Sequence, residues 1–172
     1  MPEFLTERAW RTDFINCQHW IIGTHNNAVY LKMKEMFDIA KANDRIIDSK
    51  LVLMTPTEAE MVKYIKNCFL AVKVSYFNEI KTLCDKIDID FDRVRDVSCD
   101  DIRLNHVASR VPGPDGKSGF GGTCLPKDTN ALLYMMEQLG IDSKVIRGAV
   151  ERNESIDRPE KDWLSDKGRA AL

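Results

Sequence analysis

The sequence predicts a mainly α fold, preceded by a short strand-helix-strand unit. Two short apolar runs, at 20–23 and 51–54, lie on either side of a segment with helical spacing. A longer helical stripe begins with a capping signal at Thr55, and neither glycine nor proline occurs from residue 57 to residue 111. Further helical segments follow a glycine-rich stretch at 119–122. Helices therefore dominate the predicted fold, and strands are confined to its beginning.

The first 55 residues contain the strand-helix-strand unit. W-I-I-G at 20–23 and L-V-L-M at 51–54 are the predicted strands, and 27–42 is the predicted helix. The helical spacing comes from Val29, Met33, Met36, Phe37 and Ala40. One such unit leaves strand faces uncovered, so it is typical of the end of a larger sheet.

The long helical segment starts with a strong signal. Thr55 can cap the helix, Pro56 suits its first position, and Glu58 completes a T-x-x-E capping box. The predicted helix covers residues 56–86, which corresponds to about 45 Å. Its apolar stripe consists of Met61, Ile65, Phe69, Val72, Tyr76, Ile80 and Leu83. An apolar stripe of this length is longer than the core of one domain can cover. We therefore expect a homodimer that forms through this helix, with contacts at Phe69, Tyr76 and Ile80.

Shorter helices are predicted beyond the long one, at 91–98, 126–138 and 142–156. The stretch V-P-G-P-D-G at 111–116 has the proline and glycine spacing of turns. The last residues, 158–172, are rich in charge, and we expect them to be loosely ordered.

Composition excludes several classes of protein. Apolar residues make up 44% and charged residues 30% of the 172 residues, and the net charge is −2. This balance argues against a nucleic-acid-binding surface, and no apolar run reaches the roughly 20 residues that span a bilayer. The N-terminal residues do not form a secretory signal. The five cysteines are scattered without a C-x-x-C pair, so we expect no metal site, no disulfide framework and a cytoplasmic location.

The decapeptide G-F-G-G-T-C-L-P-K-D at 119–128 is the most unusual stretch of the chain. Its glycines allow backbone conformations that other residues avoid, and a close approach to a ligand. Pro126 suits the first turn of a helix, which places Cys124 at or just outside a helix N-terminus. The helix dipole and Lys127 favour a thiolate there, while a small buried cysteine after a glycine turn is an equal alternative. The stretch is not a dinucleotide fingerprint, because no strand leads into it.

Lys63 and Asn67 are four residues apart on the long predicted helix, about 6 Å from each other on one face. Leu70 and Val74 share that face, so we expect the pair to lie in a partly buried environment. A lysine and an amide so placed can hold an oxyanion, although a solvated helix face is the commoner explanation of such a pair. Arg103 and the histidines carry no role by their spacing alone.

The sequence resembles the UDP-glucose 6-dehydrogenase family, within the UDP-glucose/GDP-mannose dehydrogenase superfamily. The resemblance lies in P-E-F-L at 2–5, T-E-A-E-M-V-K-Y-I-K-N at 57–67, and the decapeptide at 119–128. It implies a helical central dimerisation domain, similar to the C-terminal domain of 6-phosphogluconate dehydrogenase. It also implies a division into three parts. These are the C-terminal remnant of an NAD-binding Rossmann domain at 1–55, the helical domain at 56–158, and a charged tail at 159–172.

The resemblance also implies a reaction. The family oxidises the C6 alcohol of a nucleotide sugar to a carboxylate in two hydride transfers to NAD. Cys124 would add to the intermediate aldehyde, giving a thiohemiacetal and then a thioester. Lys63 and Asn67 would stabilise the oxyanion, Asp128 would position or deprotonate water, and Glu3 would assist thioester hydrolysis.

The remaining sites also follow from the resemblance. Leu5 and Glu7 would line the sugar site, and Gly121 would let the chain approach the sugar. Arg103 would hold sugar hydroxyls from the neighbouring subunit. Lys127 would reach toward the cofactor.

The sequence departs from the family in its extent, and Met1 stands where the family usually has asparagine. Family members begin with a Rossmann domain for NAD and end with another for the nucleotide, but no G-x-G-x-x-G followed by an acidic residue occurs in these 172 residues. We therefore expect about the central half of an enzyme, comprising the substrate-site and dimerisation portion and inactive alone. The alternatives are a non-catalytic helical dimerisation module, or a fragment of a GDP-mannose or UDP-N-acetylmannosamine dehydrogenase.

Overall fold

The computed structural model describes residues 1–2, 4–5 and 9–165. The chain divides into two compact units, Met1–Ile65 and Lys66–Leu172, and the division falls within the long helix. The domain boundary expected after residue 55 remains a prediction.

The first unit contains the predicted strand-helix-strand arrangement. Its elements are α1 (Trp10–Ile15), β1 (Trp20–Gly23), α2 (Asn27–Ala42), β2 (Leu51–Met54) and the start of α3. The strands pair in parallel, with Trp20 opposite Leu51 and Gly23 opposite Met54. The predicted strands and the predicted helix at 27–42 are confirmed. Helix α1 was not predicted, because it is six residues long, buries no side chain and lacks a side-chain cap.

The core of the first unit forms where α2 packs on the sheet. Trp20, Phe37 and Ile46 are buried together, and the rings of Trp20 and Phe37 lie 4.6 Å apart. Gly23 ends β1 against the start of α3, since a Cβ on it would stand 2.9 Å from Pro56 Cα. Glycine thereby lets the strand end and the helix start touch.

Helix α3 spans Pro56–Lys86, as predicted. Its start is the expected capping box, because Thr55 N donates to Glu58 Oε2 at 2.8 Å and Glu58 N donates to Thr55 Oγ1 at 3.3 Å. In the described residues no helix is both long enough and apolar enough to cross a membrane.

In its described part, which ends at residue 165, the second unit contains most of α3, followed by three α-helices and two short turns. They are α4 (Phe91–Cys99), α5 (Leu125–Gln138), α6 (Lys144–Arg152), a π-helical turn (Asn153–Asp157) and a 3-10 turn (Asp162–Leu164). The predictions for α4 and α5 are correct to within one residue. The helix predicted at 142–156 is shorter, and its last part is the π-helical turn.

One face of α3 packs on the core of the second unit and another is exposed. The core consists of Phe77, Cys84, Phe91, Cys99 and Val111, and Ile80 packs against it. Phe69, Tyr76 and Leu83 recur every seven residues and are exposed, Phe69 by 63% and Tyr76 by 54%. Phe69 and Tyr76 therefore remain candidate dimer contacts, whereas Ile80 contributes mainly to the core.

The expectation of a loose tail from residue 158 is wrong as far as residue 165. The Arg158 side chain is only 2% exposed, and its guanidinium lies 2.7 Å from carboxylate oxygens of both Asp115 and Asp162. Lys117 also pairs with Asp162 at 2.7 Å and with Glu160 at 3.1 Å. Three of the charges that suggested a solvated tail, Arg158, Glu160 and Asp162, instead pair with Asp115 or Lys117 in the loop before α5. Residues 166–172 lie outside the described residues.

We expect this ion-pair cluster to make the stability of the protein depend on pH. Hydrogen bonds from Arg158, and then from Lys117, lower the pKa of Asp162 well below its usual value, although partial burial opposes the shift. A carboxyl with a lowered folded-state pKa stabilises the fold above its unfolded pKa of about 3.9, and that contribution is lost as the pH falls further. The free energy of unfolding, measured with urea, should therefore fall below about pH 4.

The control for this prediction is Asp162→Asn. The variant should be less stable at neutral pH and should lose less stability on acidification. An equally steep loss in the variant would contradict the assignment to Asp162.

Candidate active site

Cys124 lies at the N-terminus of α5, as predicted. It directly precedes Leu125, the first residue of the helix, and Pro126 occupies the first turn. The Cys124 side chain is exposed, so the alternative of a small buried cysteine is wrong. Thr123 Oγ1 lies 3.7 Å from its Sγ. A thiol in this position is accessible to a reactant and receives the favourable field of the helix end.

Asp128 follows Cys124 by one turn, and its backbone N donates to Cys124 O at 2.9 Å. Its side chain is 3% exposed. The Asn67 Nδ2 donates to Asp128 Oδ2 at 2.6 Å, and the Lys127 ammonium donates to Asp128 Oδ1. A buried carboxylate is costly unless it is paired and hydrogen-bonded, and here both oxygens have a donor. The structure thus brings together Cys124, Asp128, Asn67 and Lys127.

Short contacts between α3 and α5 hold this group in place. Besides the bond from Asn67, the Cys68 thiol donates to the Asp128 carbonyl oxygen at 3.6 Å. Thr129 Oγ1 donates to Leu125 O at 2.6 Å within the first turns of α5. Burial raises the pKa of Cys68, so this thiol stays protonated and serves as packing.

The other predicted site residues are not all brought to Cys124. Lys63 lies one turn before Asn67 on α3, in the first unit, and is half-buried. Arg103 is 85% exposed in the loop after α4, where it forms an ion pair with Asp101 at 2.5 Å. No hydrogen bond or ion pair joins Arg103 to Cys124 or Asp128 among the described residues. Its role from a neighbouring subunit stays a prediction.

The predictions at the beginning of the chain are less well defined. Leu5 is half-buried in irregular chain of the first unit. Glu3 and Glu7 lie outside the described residues. Within the described ranges, no group of three or more histidine, cysteine or acidic side chains could hold a metal ion.

The glycines before Cys124 are needed for packing inside the protein. Gly119 has φ +70°, and a Cβ on it would stand 3.0 Å from Asp157 Cβ and even closer to Asn153 Oδ1. A Cβ on Gly121 would stand 2.6 Å from two nitrogens of the Arg158 guanidinium. The loop therefore rests directly on Asn153 and Arg158, and the predicted role of Gly121 toward a sugar remains a prediction.

Sequence reasoning missed Asn153 and Arg158. The signal for Asn153 was an amide on the same helical stripe as Ile146, Ala149 and Val150. Arg158 offered no such signal, because its partner Asp115 is distant in sequence.

We expect Cys124 to be the most reactive of the five thiols. Cys124 is exposed, whereas Cys68, Cys84 and Cys99 are buried and Cys17 is half-buried. Limiting iodoacetamide at about pH 6 to 9, followed by peptide mapping, should modify Cys124 first because thiolate character and access control the reaction. Initial modification of Cys17 or Cys99 in the folded protein would contradict this expectation.

Comparison with known proteins identifies the family. A model of the UDP-glucose/GDP-mannose dehydrogenase family, central domain, matches residues 57–155. UDP-glucose 6-dehydrogenase TuaD of Bacillus subtilis is 33% identical over 154 residues, which are 89% of this chain and 31% of that protein. GDP-mannose 6-dehydrogenase of Pseudomonas aeruginosa is 34% identical over 152 residues, which are 88% of this chain and 33% of that protein.

A solved structure gives the same result. The UDP-glucose dehydrogenase of the archaeon Pyrobaculum islandicum superposes with a TM-score of 0.73 at 33% identity, over 89% of this chain and 33% of that chain. This likeness confirms the predicted fold class. The chain spans about a third of the length of these relatives, less than the central half that was expected. The family model and these similarities show that the chain belongs to the UDP-glucose/GDP-mannose dehydrogenase family.

Proposed function

We propose that this chain is the substrate-site and dimerisation portion of a nucleotide-sugar dehydrogenase that oxidises the C6 alcohol of UDP-glucose to a carboxylate. The observation that carries the proposal is the exposed Cys124 at the start of α5, one turn before a buried Asp128 to which Asn67 is hydrogen-bonded. A nucleophile, an amide donor and a carboxylate are the groups that acyl chemistry at a carbonyl carbon needs.

The first step assigned to these residues is the addition of Cys124 to the sugar aldehyde. The thiolate sulfur forms a bond to the carbonyl carbon, and the C=O π electrons move to oxygen. The Asn67 amide nitrogen carries two hydrogens, of which one is donated to Asp128. The second hydrogen is available to the developing oxyanion. Lys63, to which the resemblance gives the same role, would supply a charged donor.

The last step is hydrolysis of the thioester that oxidation of this adduct leaves on Cys124. Water adds to the acyl carbon and loses its proton to a base, the C–S bond breaks, and sulfur leaves as thiolate. Both oxygens of Asp128 already accept hydrogen bonds, from Lys127 and Asn67. This arrangement favours a role for Asp128 in orienting its two donors over a role as the base. By the resemblance, Glu3 would assist the hydrolysis.

NAD would supply the hydride acceptor for the two oxidations. The residues of this chain do not fit a dinucleotide by themselves, because the 172 residues contain no G-x-G-x-x-G with a following acidic residue. Lys127, the residue expected to reach the cofactor, is paired with Asp128. We therefore propose that the 172 residues alone neither bind NAD tightly nor turn over sugar.

Two alternatives compete with this proposal. One is a non-catalytic dimerisation module, but a module of that kind has no need for an exposed Cys124 beside a hydrogen-bonded Asp128 and Asn67. The similarity to a GDP-mannose 6-dehydrogenase is as high as that to UDP-glucose 6-dehydrogenases, so GDP-mannose is the competing substrate. UDP-N-acetylmannosamine is a third candidate substrate.

A chimeric enzyme tests the proposal. This chain replaces the matching stretch of the Bacillus subtilis enzyme TuaD, and NADH absorbance is followed with UDP-glucose. We expect NADH formation with UDP-glucose and a loss of at least about 100-fold in the Cys124→Ser version, because the nucleophile is removed. Cys17→Ser is the matched control and should retain activity.

The chimera also separates catalysis from the non-catalytic alternative. A chimera that binds NAD but makes no more NADH than its Cys124→Ser version would contradict the proposed function and favour the non-catalytic module.

A further inference from the structure

Asn153 uses both ends of its side-chain amide on one backbone residue of the glycine loop. Asn153 is fully buried, at 0% exposure. Its Oδ1 accepts from Phe120 N at 2.8 Å, and its Nδ2 donates to Phe120 O at 2.9 Å. A buried amide satisfied in this way tolerates no displacement of its partner, since either group left unpaired would carry a desolvation penalty.

The residues on either side of Phe120 are held as well. Gly119 N donates to Asn78 Oδ1 on α3 at 3.1 Å. A Cβ on Gly121 would stand 2.6 Å from two nitrogens of the Arg158 guanidinium, and the Phe120 side chain is itself buried. Side chains from α3, from the π-helical turn and from the segment after it thus contact three consecutive residues, 119–121.

The π-helical turn explains why Asn153 and Arg158 act together. Arg158 N donates to Asn153 O at 2.8 Å, which closes the wide turn over five residues. Asn153 therefore binds Phe120 through its side chain and fixes Arg158 through its carbonyl. A regular α-helix would not make this bond, and π-helical turns are frequent at functional sites.

We propose that Asn153 is a positioning residue for the Cys124 thiol, acting through the backbone of Phe120. Only Gly121, Gly122 and Thr123 separate Phe120 from Cys124, and Gly122 has φ +70°. The direction in which this short link enters α5 depends on where Phe120 is held. The proposal concerns the same site as the proposed function, and it rests on that function only for what the thiol does.

The test uses Asn153→Asp in the full chain. The two hydrogen bonds between the Asn153 side chain and the Phe120 backbone form a clamp. Aspartate keeps the acceptor for Phe120 N but replaces the donor to Phe120 O with a second oxygen. That carboxylate oxygen and the Phe120 carbonyl oxygen then repel each other. We expect the iodoacetamide rate at Cys124 to fall by about three- to ten-fold at neutral pH, because the thiol loses its alignment with the helix end. Hydrogen exchange in the peptide 119–124 should accelerate at the same time.

The control is Phe91→Leu, which loosens a core cluster of the same unit that includes no residue of 119–124. It should lower the unfolding temperature and leave the Cys124 rate unchanged, which separates positioning from a general loss of stability. The unsubstituted chain provides a further measurement, since the Phe120 amide should exchange slowly.

Three outcomes would overturn the inference. They are an unchanged Cys124 rate in folded Asn153→Asp, an equal change in Phe91→Leu, and fast exchange of the Phe120 amide in the unsubstituted chain. An unreactive Cys124 in the unsubstituted chain would instead count against the proposed function. The two failures are therefore distinguishable.

Discussion

Gly119→Ala is expected to destabilise the second unit by about 2–4 kcal/mol. The left-handed backbone at φ +70° costs a non-glycine residue about 1–2 kcal/mol. The new Cβ would also press on Asn153 Oδ1, which cannot move away without giving up its bond from Phe120 N. Denaturant unfolding of the two chains measures the difference.

Gly140→Ala is the matched control for this substitution. Gly140 has the same φ of +70°, but nothing lies within 4 Å of the position that a Cβ would take. Gly140→Ala should therefore lower the free energy of unfolding only by the backbone strain, about 1–2 kcal/mol. Any further loss of unfolding free energy in Gly119→Ala measures the effect of the contact with Asn153. Equal losses in the two variants would mean that the loop does not rest on Asn153.

Phe69→Glu and Tyr76→Glu are each expected to convert a homodimer into a monomer. Both side chains lie on the exposed stripe of α3, one heptad apart. In an interface with two-fold symmetry each substitution places two charges in the apolar contact, so its effect is doubled. Light scattering at micromolar protein should give about twice the chain mass of 19.7 kDa before substitution, and the chain mass afterwards.

Val145→Glu is the control for the dimer. Val145 is exposed by 70% but lies on α6, and a glutamate is well tolerated in the first turn of a helix. This variant should keep the dimer mass. If light scattering gives the monomer mass for the unsubstituted chain, the predicted homodimer is wrong, and so is the predicted role of Arg103 in the neighbouring subunit.

The elements that could be predicted from sequence are those with strong local signals. The capping box at Thr55 and Glu58 and an uninterrupted apolar stripe define α3 from its first to its last residue. The two apolar runs of the strands and the helical spacing between them were equally informative. Cys124 could be placed at a helix N-terminus because Pro126 is a local signal.

The features that could not be predicted depend on contacts between distant residues. The bond from Asn67 to Asp128 crosses 61 positions of the chain, and the clamp from Asn153 to Phe120 crosses 33. Arg158 looked like part of a solvated tail because a charge run carries no information about its partners. The sequence pattern also could not distinguish a glycine that faces a ligand from one that faces Asn153 or Arg158.

The contact between Gly121 and Arg158 has a consequence for how this family can diversify. Any side chain at position 121 needs the space that the guanidinium now fills, and a shorter residue at position 158 leaves a void, removes the ion-pair partner of Asp115 and leaves Asp162 paired with Lys117 alone. A change at either position is harmful until the other has changed. The two positions should therefore covary in descent, with glycine retained wherever arginine is retained.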